Sequence, residues 1–599
     1  MNGKKTMTRN EIPENFKWNI EDMYPNETGW EKDFSEVLAL SKQYAQYSGK
    51  LGESSKVLLD AFEDKSKIWQ LLEKLYVYSR MRRDEDNRVD QYQTMNDRCN
   101  SLVANASTAM SFFVPELLEI PEDKLFEFIE KEPGLKMYEF SIKDSLREKA
   151  HILSNAEENI MAQYSEITGS TNNIYTMMNN ADMKFGTLED EDGDTVELTH
   201  GKFIGFMESK NREIRKNAFE LMYASYIRQI NTIATIYNYN TKTDVVISRL
   251  RKYPSSLEAA LSQDNITPLV YTNLIDTVNR NLHVLYRYMD IRKKILNLDE
   301  MHMYDIYVPL FDSPDKNLPY EEALNLMKKG MLPFGEEYLS RVEEGISSRW
   351  IDVYENEGKT SGAYSFGSYD SMPYILLNYN NKFKDVFTLT HEMGHSMHSK
   401  FTREEQPFIY GGHSIFTAEV ASTVNESLLM KHLLSSETDK ETKKYILSIY
   451  IEEFRSTLFR QTMFAEFELL THQAVENGES LTAEWMCREY KVLLAKYFGP
   501  DLVLDKEIEY EWARIPHFYN AFYVYKYATG FSAATSISEK ILLEGVPARD
   551  AYIEFLKSGE SNYPIELLKI AGVDMSQPEP VERAMKAFEQ LVDQLEALL

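Results

Sequence analysis

Apolar residues recur at three- and four-residue intervals along most of this chain, with few glycines or prolines among them. That period is the mark of amphipathic helices. The stretch 56–108 reads as helix, interrupted at Phe112-Phe113-Val114-Pro115. Pro121-Glu122-Asp123, a proline followed by acids, marks the next helix start. Ser154-Asn155-Ala156-Glu157 carries the capping-box pattern that opens another. Helices resume from 202 to about 331, and again from 416 to the C-terminus, with breaks at Phe498-Gly499-Pro500, Gly530 and Gly572.

Two segments depart from this period. From Met183 to Leu198, two short apolar stretches flank Glu189-Asp190-Glu191-Asp192-Gly193-Asp194, which predicts a β-hairpin with an acidic tip. A helix-loop-helix calcium site needs Gly at its sixth position and Glu at its twelfth. Counted from Asp190, those positions hold Thr195 and Gly201, so the tip reads as a solvated turn. The region 358–381 is rich in Gly, Ser, Tyr and Asn. Its piece Met372-Pro373-Tyr374-Ile375-Leu376-Leu377-Asn378-Tyr379 reads as a short strand, with the proline marking a sheet edge. Such an edge could receive the backbone of an extended peptide. Tyr410-Gly411-Gly412-His413-Ser414 reads as a flexible loop.

The fold class is therefore mainly α. A length of 599 residues calls for more than one core. We divide the chain into residues 1–200, a helical domain ending in the hairpin, and residues 201–599, a catalytic domain. The charge balance, 66 basic against 95 acidic residues, gives a net charge of -29. That surface repels phosphates and anionic lipid, which argues against nucleic-acid and membrane partners. No apolar run reaches membrane-spanning length and no signal-peptide pattern opens the chain, so the expected compartment is the cytoplasm. Cys99 and Cys487 fall in no metal or redox pattern and read as small core residues.

The chemistry concentrates in His391-Glu392-Met393-Gly394-His395. Histidines four apart on a helix lie about 40° apart around its axis, so both imidazoles can bind one metal. The glutamate between them is placed to act on a water beside that metal. This is the HExxH zinc-peptidase arrangement. Its helix is expected from about 381 to 399, with Asn381 and Asp385 near its start and Val386, Leu389, Met393 and Met397 as its apolar stripe. Catalytic zinc keeps three protein ligands and one water. Glu419, 24 residues after His395, is the choice for the third, on the next helix. Ser422 and Glu426 fall on or near the same face, and Glu426 is either a rival ligand or a carboxylate that orients a histidine. His398 reads as a substrate contact or as a local histidine bonded to its own surroundings.

These residues resemble oligoendopeptidase F, within the thimet-oligopeptidase-like zinc peptidases. His391 to His398 fits the extended motif of that family, and Glu419-Val420-Ala421-Ser422 with Glu426 fits its E-x-x-S-x-x-x-E helix. Trp18-Asn19-Ile20 with Tyr24-Pro25 resembles its N-terminal signature, and Phe555-Leu556-Lys557-Ser558-Gly559 with Gly572-Val573-Asp574-Met575 is also similar. Thr360 departs, standing where the family pattern has arginine. The resemblance implies a large multi-helical zincin-type body, a deep substrate channel, a few short strands near the active site, one Zn2+ per chain, and internal cleavage of short peptides. It also implies a His/Tyr-rich loop from His517 to Tyr527 that donates to the scissile carbonyl. His517 and Tyr527 are the first candidates there and Tyr525 the next. Tyr519, Tyr523 and Tyr527 also recur at a four-residue interval, which an aromatic core stripe would explain.

The mechanism expected is zinc-assisted peptide hydrolysis, with Glu392 as general base and acid. The near alternative is a carboxypeptidase-type exopeptidase, and the distant one a non-catalytic helical peptide-binding protein. The exopeptidase needs a cationic anchor for a terminal carboxylate. The binding protein has no use for Glu392.

Overall fold

The computed structural model describes residues 6–314 and 317–599. Helices carry most of them, and the strands are two or three residues long. The architecture is mainly α, as the helical period predicts. The chain divides into two compact units, each built from three segments. The first takes Met1–Lys149, Asp315–His432 and Ile537–Gly572; the second takes Ala150–Pro314, Leu433–Ser536 and Val573–Leu599. The units interleave along the chain, so neither has a boundary at residue 200.

In the first unit, helices Glu27–Gln43, Ser55–Glu85 and Asp90–Met110 pack on one another. Buried Trp30 donates its indole N–H to the Leu75 carbonyl at 3.1 Å, pinning the first helix to the second. The helical run does break near Phe112: a new helix, Phe113–Glu119, begins with Pro115 in its first turn. There a proline forfeits no intrahelical hydrogen bond. Trp18 and Ile20 are core residues, and Trp18 donates to Glu85 Oε1 at 2.7 Å. The Asn19 N–H reaches the Arg349 carbonyl at 2.8 Å. The N-terminal segment is thereby stitched to the start of a small sheet.

That sheet corrects one expectation. Tyr374–Leu376 is its central strand, parallel to Ile351–Asp352 and antiparallel to Tyr364–Phe366. Pro373 lies just before the strand and takes no donor from its ladder, so both sides can pair. An edge is instead offered by the half-exposed Tyr364–Phe366. This strand sits on the helix Phe383–Glu405, where Ser365 Oγ and Ser396 Oγ are 2.8 Å apart.

The second unit is organised on the 39-residue helix Arg212–Leu250. Ala218, Met222, Tyr226, Ile233, Tyr237 and Val245 recur on its buried face. It packs against the helix Arg460–Glu476 and the 3-10 segment Lys506–Arg514, with the Tyr237 hydroxyl 3.0 Å from Thr471 Oγ1. The hairpin forms as expected, pairing Thr187–Glu189 with Thr195–Glu197. At its tip, Asp190 Oδ1 accepts the N–H groups of Asp192 and Asp194, both at 3.0 Å. The acid shapes the turn. Ser154 and Glu157 exchange capping hydrogen bonds at the start of Asn155–Thr168. Cys99 and Cys487 are buried free thiols. Among the described residues, no helix is long and apolar enough to cross a membrane.

Candidate active site

The motif helix spans Phe383–Glu405. Asp385 Oδ2 accepts the backbone N–H groups of Asn380 (2.7 Å) and Lys382 (3.0 Å), which fixes where it starts. Val386, Leu389, Met393 and Met397 are fully buried, as the stripe predicts. The same helix therefore presents His391 and His395 on its opposite, half-exposed side. The following helix, Ile415–Ser436, crosses it at Gly394. A Cβ there would stand 2.6 Å from Ser422 Cα and 2.8 Å from the Ala421 carbonyl oxygen. Only glycine lets the two backbones meet this closely. Asn425 reinforces the crossing: its amide donates to the Thr390 carbonyl at 3.3 Å, and its oxygen accepts the Tyr338 hydroxyl at 3.0 Å.

The crossing brings Glu419 to both histidines. Its Oε2 lies 3.3 Å from His391 Nε2 and 3.5 Å from His395 Nε2, and the two Nε2 atoms are 3.2 Å apart. Among the described residues, these three are the group whose donor atoms converge enough to hold a metal. Zinc bonds of about 2.0–2.1 Å in tetrahedral geometry separate neighbouring donors by roughly 3.3–3.4 Å. The observed spacings fall beside that value, and the set of two imidazoles and one carboxylate suits a catalytic divalent ion. Glu426 Oε2 lies 3.1 Å from His391 Nδ1, on the far side of the ring from Glu419. It therefore orients the imidazole and is not among the converging donors. Ser422 Oγ donates to Glu419 Oε2 at 3.1 Å and to the Glu419 carbonyl at 2.9 Å.

The electrostatics separate Glu419 from Glu392. Burial alone would keep His391 neutral, but its hydrogen bonds with Glu419 and Glu426 outweigh it and hold the imidazole well above its ordinary pKa. The hydrogen bonds of His391 and His395 hold the Glu419 carboxyl far below the usual carboxylate range. Glu392 is buried and makes no hydrogen bond to the described residues. Burial pushes its pKa up against the opposing pull of the two histidines.

His398 is a core residue. It stacks on His413 with ring centroids 3.7 Å apart, and Phe555 lies 5.3 Å away. Burial, with His413 and His395 nearby, drives its pKa well down, and burial with Arg403 takes His413 to about 3. His413 sits in the segment read as a flexible loop. Nothing in the local sequence signals this stack, because its partner lies 15 positions upstream on another element. Asn425 is missed for the same reason. Gly394 carries a signal in retrospect, since a glycine inside a helix costs about 1 kcal/mol against alanine and so points to close packing.

The His/Tyr-rich segment belongs to the second unit. Pro516–Tyr519 is a 3-10 turn, and a helix starts at Tyr525. His517, Tyr523 and Tyr527 form a cluster of partly exposed rings, with His517 centred 6.2 Å from Tyr523 and 6.0 Å from Tyr527. Burial lowers the His517 pKa. Tyr519 and Tyr525 are buried elsewhere. Tyr519 stacks on Tyr175 at 4.3 Å, and Tyr525 packs at 5.1 Å from Tyr271. Tyr519 and Tyr525 thus lie in the core of the second unit, while His517, Tyr523 and Tyr527 are the accessible rings of the segment.

Comparison with known proteins agrees with this geometry. The family model described as peptidase family M3 matches residues 205–587, and the one described as oligopeptidase F matches residues 116–185. The chain is 48% identical to the oligopeptidase PepF of Bacillus subtilis, over 99% of this chain and 88% of that protein. It is 40% identical to the group B oligopeptidase PepB of Streptococcus agalactiae, over 99% and 98%. The crystal structure of oligoendopeptidase-F from Enterococcus faecium superposes with a TM-score of 0.75 at 35% identity, covering 96% of this chain and 99% of that one. A match over more than half its length, and relatives alike from end to end, make this chain a member of peptidase family M3.

Proposed function

We propose that the chain is a zinc-dependent endopeptidase that hydrolyses internal bonds of short peptides. One observation carries this reading: of three glutamates around two imidazoles, two take different ring nitrogens and the third takes none. Glu419 meets both Nε2 atoms, Glu426 meets Nδ1 of His391, and Glu392 meets neither. His391, His395 and Glu419 are the ligand set for one zinc per chain. A zinc ion held there supplies a Lewis acid that polarises a peptide carbonyl and lowers the pKa of a water to about 7.

The remaining work falls to the chain's own side chains. Glu392 takes a proton from the attacking water and delivers it to the leaving amine. Its carboxylate makes no hydrogen bond to the described residues, which leaves it available for both. Glu426 holds the His391 ring in orientation, and Ser422 does the same for the Glu419 carboxylate. The family resemblance nominates His517 and Tyr527, and after them Tyr525, as donors for the developing oxyanion. The edge strand Tyr364–Phe366 is where an extended peptide adds its backbone. Oligopeptide substrates are consistent with the names of the relatives, and the net charge of -29 disfavours nucleic acid. The expected compartment is the cytoplasm.

The test uses an internally quenched peptide of about ten residues, blocked at both ends so that an exopeptidase cannot start. Wild-type protein should cleave it internally, and chelation should stop the cleavage. Glu392→Gln should bind zinc stoichiometrically yet lose at least about 10²-fold in turnover. A Gln variant that loads zinc and cleaves at the wild-type rate would falsify the proposed role of Glu392.

A further inference from the structure

A second concave site lies in the first unit, in a cavity of about 730 Å³. That size suits a small organic ligand. Phe62, Trp69 and Tyr76 of the helix Ser55–Glu85 line it, with Phe113 and Phe408. None of His391, Glu392, His395 and Glu419 does. One charge in this aromatic wall lacks a counter-ion. The Lys65 ammonium sits 4.5 Å above the centre of the Phe113 ring, half-buried, with no carboxylate in ion-pair range among the described residues. Burial alone lowers its pKa, with no opposing acid. An aromatic face returns only about 0.5–2 kcal/mol to a cation, while removing a charge from water without a partner costs more.

The acids in the lining do not meet this need. Glu73 accepts the Tyr369 N–H at 2.9 Å, and burial raises its pKa towards the neutral form. Glu560 lies beside Gly412 on another segment. We infer that this cavity binds a small apolar carboxylate, with its anionic group on Lys65 and its apolar body against Trp69, Phe62 and Phe113. A peptide C-terminus and a free organic acid share that chemistry. The site also borders the cluster's own framework. Gly411 and Gly412 form part of the wall, and the next residue, His413, stacks on His398 of the motif helix.

The test is a binding titration on the zinc-loaded full chain, read by tryptophan fluorescence and calorimetry. The probes are N-acetyl-Leu-Phe, its C-terminal amide, and 3-phenylpropanoate. N-acetylation removes the ammonium that Glu73 or Glu560 would attract. At least one acid should saturate, N-acetyl-Leu-Phe should bind at least tenfold tighter than its amide if it is the acid bound, and Trp69→Phe should abolish the fluorescence change. Lys65→Met should lose affinity for the acid, and Lys65→Arg should recover it, which separates loss of charge from loss of fold. Lys65-dependent binding of the peptide acid alone identifies a peptide terminus as the ligand; binding of phenylpropanoate alone identifies a free acid; binding of both supports the shared chemistry. The inference is overturned if neither acid saturates at millimolar concentration. It is equally overturned if acid affinity survives in Lys65→Met, which would place the carboxylate elsewhere, as on the metal.

Discussion

Gly394→Ala tests whether the helix crossing sets the metal site. The added methyl would meet Ser422 Cα at 2.6 Å, Ala421 O at 2.8 Å and Ser422 N at 2.9 Å, whereas ordinary contact begins near 3.4 Å. All three are backbone atoms of one helix, so no side chain can swing aside. Relief requires the helices to separate by about 0.8 Å, against the tie from Asn425 to the Thr390 carbonyl. Glu419 travels with Ser422, and His391 and His395 travel with Gly394. Metal–ligand distances tolerate only about ±0.2 Å, so the displacement is roughly four times the allowance. Overpacking itself costs about 1–3 kcal/mol, which a chain of this size survives.

The expected phenotype is therefore a folded protein with a damaged site. Zinc affinity, measured by competition with a chromogenic chelator, should fall by at least about tenfold, and kcat/KM on the quenched peptide by on the order of 10². Gly205→Ala is the control. It lies in the helix His200–Met207, a Cβ there meets nothing within 4 Å, and the change should be neutral or stabilising by about 0.5–1 kcal/mol. If Gly394→Ala binds zinc and turns over like wild type, the crossing does not set the ligand spacing.

Other consequences are equally direct. Glu426→Gln should weaken zinc binding by about 10–100-fold while leaving the ion bound at saturating zinc, and unchanged affinity would remove its orienting role. Glu468 accepts the N–H of Phe522, whose φ is +54°, and burial holds its pKa well above the ordinary carboxylate value. The folded chain then keeps a proton that the unfolded chain has released, so wild-type stability falls as pH rises from the ordinary value through the folded one. Glu468→Gln lacks this ionisation, and the melting-temperature difference between variant and wild type should shift in its favour with rising pH; a pH-independent difference sinks the argument. Thr360→Arg should lower unfolding free energy by about 1–2 kcal/mol in denaturant titrations, and an unchanged midpoint would mean that the Thr360 hydroxyl contributes nothing.

Much of this site was legible because its chemistry is written at helical spacing. Two histidines four apart must share a face, and Glu419 with Glu426 must lie within reach once a second helix crosses the first. The stripe from Val386 to Met397 was legible for the same reason. Relations between elements were less so. Pro373 suggested an edge because proline cannot join a ladder, yet a proline just before a strand leaves that strand free to pair on both sides. The His398–His413 stack and the Asn425 bridge depend on how separate segments meet, which local period does not encode. Tyr519 and Tyr525 could not be told from Tyr523 and Tyr527 by composition. The chain turns through a left-handed Phe522 among them, so the helical period does not run across the segment.

Thr360, where the resemblance leads one to expect arginine, is held by a buried carboxylate. Its hydroxyl donates to Asp84 Oδ1 at 2.9 Å, and its N–H reaches the Asp84 carbonyl at 2.9 Å. Asp84 is fully buried and also receives Arg80 Nε at 3.1 Å, Arg83 at 3.2 Å and the Tyr364 hydroxyl at 3.0 Å. A carboxylate offers about four acceptor sites, and these donors already fill them. The charge that an arginine at 360 would bring is supplied here by the helix bearing Asp84 itself. Threonine completes the set with a short neutral donor. The same carboxylate ties Tyr364, the first residue of the edge strand, to the helix Ser55–Glu85. Positioning of that edge therefore rests on Asp84 more than on the residue at 360.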